Sequence, residues 1–223
     1  MDLSTFTPGS ALVVVVALAI APFFAVMVTS FTKIVVVLSL LRNALGLQQV
    51  PPNIVLNGLS LILTMYVMYP VGQQMQAQIQ QNQSVAAGSA IAGSTGTMLT
   101  AVDAGKEPLR AFLIKHSSPT ERGFFLRTAQ RVGNPEVAST MTDRDFIVVV
   151  PSFVVRELTL AFQIGFLIFL PFLVIDLVIS NILLAMGMMM LSPTTISLPF
   201  KLLLFVLVDG WVKLSHGLVL SYV

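Results

Sequence analysis

Enzymatic chemistry needs a nucleophile within reach of a base, and this chain offers little of either. Its two histidines, His116 and His216, lie far apart, the first in a polar stretch, the second near the end. Neither belongs to a G-x-S-x-G or H-E-x-x-H order. The absence of cysteine excludes thiol nucleophiles, disulfides and Cys-ligated metals. Two histidines and scattered carboxylates do not make a metal-ligand spacing. The glycines between Gly88 and Thr97 lack the order G-x-x-x-x-G-K-[ST] and read as linker rather than phosphate cradle. No enzyme, metal or cofactor is expected.

The residues that stand out chemically are charges in apolar company. Lys33, Arg42, Arg156, Glu157, Asp176, Lys201, Asp209 and Lys213 lie within or beside hydrophobic segments. An unpaired charge is costly there, so each needs a partner or water. Asp209 and Lys213, acid first at i, i+4, read as a local helical pair worth about 0.2 to 0.5 kcal/mol. Glu157 and Lys201 have no local partner apart from Arg156, which points to a tertiary or intersubunit ion pair. Asp176 reads as a residue that caps or breaks a helix at a hairpin bend, in preference to a proton-relay carboxylate.

Methionine is the other concentration. Met186, Met188, Met189 and Met190 precede Ser192 and Pro193, where a helix should end in an irregular loop. Methionine is unbranched and adaptable. Several copies converging on an axis can close a pore and still yield to a passing chain, although gap-filling core methionines are the commoner use.

The elements that position these residues follow from composition. The chain has 223 residues, 56% hydrophobic and 10% charged, with a formal net charge of +2. A soluble domain carries roughly 25% charge, so this chain belongs to the membrane class, with more apolar sequence than a small globule can hide, and its long apolar stretches are read as the helices of an all-α membrane protein. No run of like charges suggests nucleic acid as a partner. Asp2 is the only charge before Lys33, and Pro22 interrupts the first apolar run, so no cleavable signal peptide is expected.

Three regions are predicted. Residues 1–72 form a hydrophobic helical hairpin region, with turns at Gly46, Pro51 and Pro52. Residues 73–145 form a polar insert, rich first in Gln and Asn and then in Ser, Gly, Ala and Thr, with a linker followed by a small helical subdomain. Residues 146–223 return to hydrophobic hairpins, in which Leu158 to Ile175 and Leu177 to Phe200 are uncharged and carry the Met-rich loop. A simple topology has four spans, with the tip around Lys33 and Arg42 cytoplasmic and both termini and the insert outside.

Long strings carry a family resemblance. They are Thr29 to Val37, Leu41-Arg42-Asn43-Ala44-Leu45-Gly46 and Gln48-Gln49-Val50-Pro51-Pro52-Asn53. After the insert they continue with Glu157-Leu158, Ala161 to Phe166, Pro171 to Val178, Ser180 to Met190, Ser192-Pro193, Ile196 to Leu202 and Asp209-Gly210-Trp211. Over roughly two-thirds of its residues the chain resembles the R/FliP family of export-apparatus proteins from bacterial type III secretion systems and flagella. Gln48-Gln49-Val50 and the expected lack of a signal peptide look more like the injectisome than the flagellum.

The resemblance implies kinked helical hairpins assembled as a ring of five in the bacterial inner membrane, with part of the assembly on the periplasmic side. Two smaller export subunits, S/FliQ-like and T/FliR-like, and a large export-gate subunit would be its partners, with unfolded proteins and membrane lipid. It further implies that Met188, Met189 and Met190, with Met186 beside them, close the pore. Glu157 and Lys201 would pair between neighbouring subunits. Arg156 departs from the small or polar residue expected there and stands ready to compete for Glu157. By physics alone, a proton-coupled transporter using Asp176, Glu157 and Lys201 is the alternative, but it predicts internal repeats that this sequence lacks.

Overall fold

The computed structural model describes residues 8–88, 94–133, 140–188 and 190–223. The described residues form eight helices: α1 (Pro8–Met27), α2 (Phe31–Ala44), α3 (Asn53–Gly88), α4 (Ser94–His116), α5 (Pro119–Val132), α6 (Phe146–Ala185), α7 (Pro193–Leu207) and α8 (Gly210–Leu220). Two of them, over Asn53–Gln81 and Phe146–Ala185, are long and apolar enough to cross a membrane. The bent pair α7 and α8, 60° apart, passes the same test if counted as one span.

The centre is α2, laid against α6 and α3. Ile34, Val37, Leu38 and Leu41 recur at helical spacing and are buried, the i, i+3, i+4, i+7 stripe that an apolar face requires. Ile34, Val37 and Leu38 meet Leu56 of α3, Ala161 of α6 and Leu218 of α8, and Leu41 joins the cluster of Phe172 and Phe205. Gly165 allows α2 and α6 to touch, because a Cβ there would collide with the Leu40 side chain. Polar residues on the buried faces bond within their own helix: Ser60 donates to Leu56 O at 2.7 Å, Thr64 to Ser60 O at 2.6 Å and Ser152 to Val148 O at 2.5 Å. That satisfies each hydroxyl without a tertiary partner.

The insert departs from the expected linker. Residues 73–88 continue α3 as helix, and α4 returns along it, with Gly105 facing Met75 and Ile79. Glutamine is nearly as good a helix former as Lys or Glu, so a Gln-rich run at the end of an established helix prolongs it. A second core of Val71, Phe112, Leu113, Val149, Phe153 and Tyr222 ties α3 and α4 to α6 and the C-terminal residues.

Asp176 does not divide the two uncharged stretches expected on either side of it: the first and the start of the second, as far as Ala185, are one element, and the rest of the second is loop and α7. α6 runs unbroken for 40 residues, through Pro151 and Pro171 and past Asp176. The bend comes later, at Met186 and Gly187. Asp209 likewise stands outside a helix, between α7 and α8 at φ 53°, so the geometry for an i, i+4 pair with Lys213 is missing. No ion pair joins the two among the described residues.

Candidate functional site

The loop between α6 and α7 begins with a tight helix stop. Gly187 takes φ +73°, a conformation that costs glycine nothing. Its N–H donates to Leu184 O at 3.1 Å, and the Met188 N–H donates to Leu183 O at 2.9 Å. These two bonds are the Schellman pattern that satisfies the last carbonyls of a helix. The loop ends at Ser192, with Pro193 in the first turn of α7, where a missing N–H is harmless. Between these stops the methionines face outwards: Met186 is 61% exposed, Met188 40% and Met190 101%. Met189 lies outside the described residues. Large apolar side chains are thus presented together on a short loop anchored at both ends.

A carboxylate node stands behind the loop and joins its two arms. Asp176 of α6 accepts from Ser197 Oγ at 2.5 Å and from Lys201 Nζ at 2.6 Å, both on α7. Lys201 also reaches Ala44 O, at 3.4 Å. That carbonyl sits at the C-terminal end of α2, where a cation is favoured. The node therefore fixes α6, α7 and the end of α2 together, with Leu41, Ala44, Leu45, Phe172 and Phe205 as its apolar surround.

A second buried pair lies deeper. Lys33 of α2 is 1% exposed and Glu157 of α6 0%, and Lys33 Nζ approaches Glu157 Oε2 at 3.5 Å. The Tyr222 hydroxyl donates to the same oxygen, and Lys33 Nζ sits 3.6 Å from the centre of the Tyr222 ring. Phe112 and His116 of α4 flank that ring, with centroids 6.1 and 5.1 Å away. Burial, then Lys115 and then Lys33, push His116 down to about 4.

These contacts say which side chains each of the singled-out charges meets within one chain. Glu157 and Lys201 have partners within the chain, Lys33 and Asp176, neither adjacent in sequence. Lys33 is no water-facing flank of a hairpin tip but a buried member of a pair. Arg156, expected to compete for Glu157, is exposed on a different face of α6. Asp176 neither caps nor breaks a helix; it bonds across to α7. Arg42 does lie at a tip, where its Nη1 donates to Asn53 Oδ1 at 2.5 Å. Sequence reasoning misses Tyr222 and Ser197, since nothing in their neighbourhood distinguishes them from ordinary helix-end residues. Among the described residues no three His, Cys, Asp or Glu side chains are grouped to hold a metal ion.

A family model described as the FliP family matches residues 14–218. The chain is 52% identical over 211 residues to a protein called pathogenicity-related ORF2 from Xanthomonas campestris pv. glycines, covering 95% of each. It is 50% identical over 220 residues to the hypersensitivity response secretion protein HrcR of Ralstonia nicotianae, covering 96% of this chain and 97% of that one. It is also 50% identical over 211 residues to the Yop proteins translocation protein R of Yersinia pestis, covering 95% of this chain and 94% of the relative.

Proposed function

This chain belongs to the FliP family, on its injectisome branch, and from that premise we propose that it is the pore-forming core subunit of a type III protein export gate in the bacterial inner membrane. Five copies would surround one axis. Two smaller subunits and a large export-gate subunit would complete the assembly, part of it on the periplasmic side, and unfolded proteins would pass through. The observation that carries this reading is the loop between α6 and α7. It is stopped at Gly187, restarted at Pro193 and braced by the Asp176 node, yet Met186, Met188 and Met190 are left uncovered. In one chain Met186, Met188 and Met190 stand exposed, so these side chains become a seal only where several copies bring them together. Methionine suits that task because it fills irregular space without a fixed rotamer.

Replacing Met188, Met189 and Met190 together with Gly should leave assembly intact and raise the ion conductance of membranes holding the complete apparatus. Unchanged conductance would end the gate reading. In the transporter alternative Glu157 and Asp176 would release the lysines that they hold in this chain to carry protons, and Asp176→Asn would then abolish transport while the Met188, Met189 and Met190 replacement left conductance unchanged.

A Glu157 to Lys201 pair between copies would be an exchange of partners, with Lys33 and Asp176 given up on assembly. Its test is oligomer recovery in detergent. Glu157→Lys should lower it, and adding Lys201→Glu should restore part of it. If the double variant recovers no more than the single, the intersubunit pair does not exist.

A further inference from the structure

Arg42 has a role that neither the loop nor the buried pairs use. It stands in the last turn of α2 and reaches across the turn to the start of α3. There Nη1 donates to Asn53 Oδ1 at 2.5 Å and to Pro51 O at 3.4 Å. Its Nε is buried and meets no acceptor among the described residues. Arg42, Gln48, Gln49, Pro52 and Asn53 line an open cavity of about 420 Å³. None of the five is acidic. The lining thus presents one guanidinium and three primary amides, and the first turn of the 36-residue helix α3 abuts it. A helix start carries N–H groups without intrahelical acceptors and the positive end of the helix dipole, and a guanidinium fork matches the oxygens of a phosphate. The cavity is therefore complementary to an oxyanion.

What adjoins it narrows the anion. Val50 and Ile54 at the rim are 64% and 81% exposed, and Leu61, Ile62 and Met65 continue the uncovered apolar surface along α3. The same helix is a candidate span from Asn53 onward. A polar, cation-bearing pocket at the mouth of a span, with an apolar stripe leading from it, matches a molecule whose phosphate and hydrocarbon are joined. A free phosphate would use only the pocket. We propose that this corner binds an anionic phospholipid, its phosphodiester against Arg42 and the start of α3 and an acyl chain along Ile54, Leu61, Ile62 and Met65.

The test uses the full chain purified with its partner subunits, exchanged into nanodiscs of phosphatidylglycerol or phosphatidylcholine, and read by native mass spectrometry for lipid retained after transfer to detergent. Wild type should keep phosphatidylglycerol over phosphatidylcholine by about fivefold, the value of one cationic side chain at an anionic surface. Arg42→Gln should abolish that preference. Gln48→Glu with Gln49→Glu should do so as well, without removing either partner of the Arg42 to Asn53 bond, and unchanged helix content and oligomer size in that variant separate loss of binding from misfolding. Lys213→Gln, an exposed cation outside the cavity, should change nothing. Retention of the preference in both cavity variants overturns the proposal. So does displacement of the lipid by millimolar inorganic phosphate, which would make the site one for a free anion.

Discussion

Replacing Lys33 with Met removes the cation but keeps most of the stem that fills the space between α2 and Tyr222, so what the change tests is charge. Glu157 would then lie fully buried in α6 with only the Tyr222 hydroxyl against its Oε2. Removing one partner of a buried ion pair leaves an uncompensated charge and costs about 3 to 5 kcal/mol. Replacing both partners by uncharged groups of similar volume is often near neutral. The expectation is therefore strongly non-additive. Lys33→Met should destabilise by about 3 to 5 kcal/mol. Lys33→Met with Glu157→Gln should recover at least about 1.5 kcal/mol of that, within the range seen for contacting pairs. The measurement is denaturant unfolding of the detergent-solubilised chain in its dispersed, unassembled form, followed by Trp211 fluorescence and helix content. Lys201→Met with Glu157→Gln serves as the comparison cycle and should be additive there, because Lys201 is held by Asp176. Additivity in the Lys33 cycle, or coupling in the Lys201 cycle of the dispersed chain, would refute the pairing of Lys33 with Glu157.

Other perturbations probe different parts of the same frame. Gly165→Val should separate α2 from α6, since even a Cβ would collide with the Leu40 side chain. A loss of about 1 to 3 kcal/mol is expected, partly restored by Leu40→Ala and measured by the same unfolding assay. His116 should make stability fall in acid. Its value in the fold, about 4, lies below its ordinary 6.5, so the unfolded chain binds the proton more readily. The contribution is whole above pH 6.5 and is lost as pH falls from there through 4. Because the ring is only half buried, the loss should be about 1 to 2 kcal/mol; His116→Gln should flatten that part of the Tm against pH profile.

The parts legible in the sequence are those governed by local rules. The end of a helix just before Ser192 and Pro193, and a methionine-rich loop there, follow from composition and turn chemistry alone, and the loop lies there in the structure. The turn around Gly46, Pro51 and Pro52 does as well. What is not legible are choices made across the fold. Asp176 looks like a breaker because a charge in apolar sequence is costly, yet a helix carries such a charge unbroken once Ser197 and Lys201 of another helix answer it. Glu157 looks unpaired because its lysine, Lys33, belongs to the opposite end of the chain. The Gln-rich continuation of α3 reads as linker only when polarity is weighed above helix propensity. Periodicity reports which face is buried, and it does not say against what.

The length of α6 sets the limit on hydropathy as a guide to topology. Forty residues of helix extend about 60 Å, twice the roughly 30 Å of bilayer hydrocarbon. To fit wholly inside, the helix would have to tilt by about 60°, beyond the roughly 0 to 40° that spanning helices adopt. A straight α6 that spans the bilayer therefore leaves part of its length outside the hydrocarbon. The half nearest the polar insert is the candidate, since its Val149 and Phe153 are buried against α3, α4 and Tyr222. The following turns expose Phe162, Phe166 and Leu167. The chain has no cysteine, which makes the partition directly measurable with single cysteines and a membrane-impermeant maleimide. Cysteine at Ile147 should react in intact membranes from the side of the insert. Cysteine at Leu167 should react only after the membrane is dissolved and the chain unfolded. Equal protection of both would mean that the whole helix is enclosed by lipid or neighbouring subunits; labelling of position 167 with protection of 147 would place the opposite half outside.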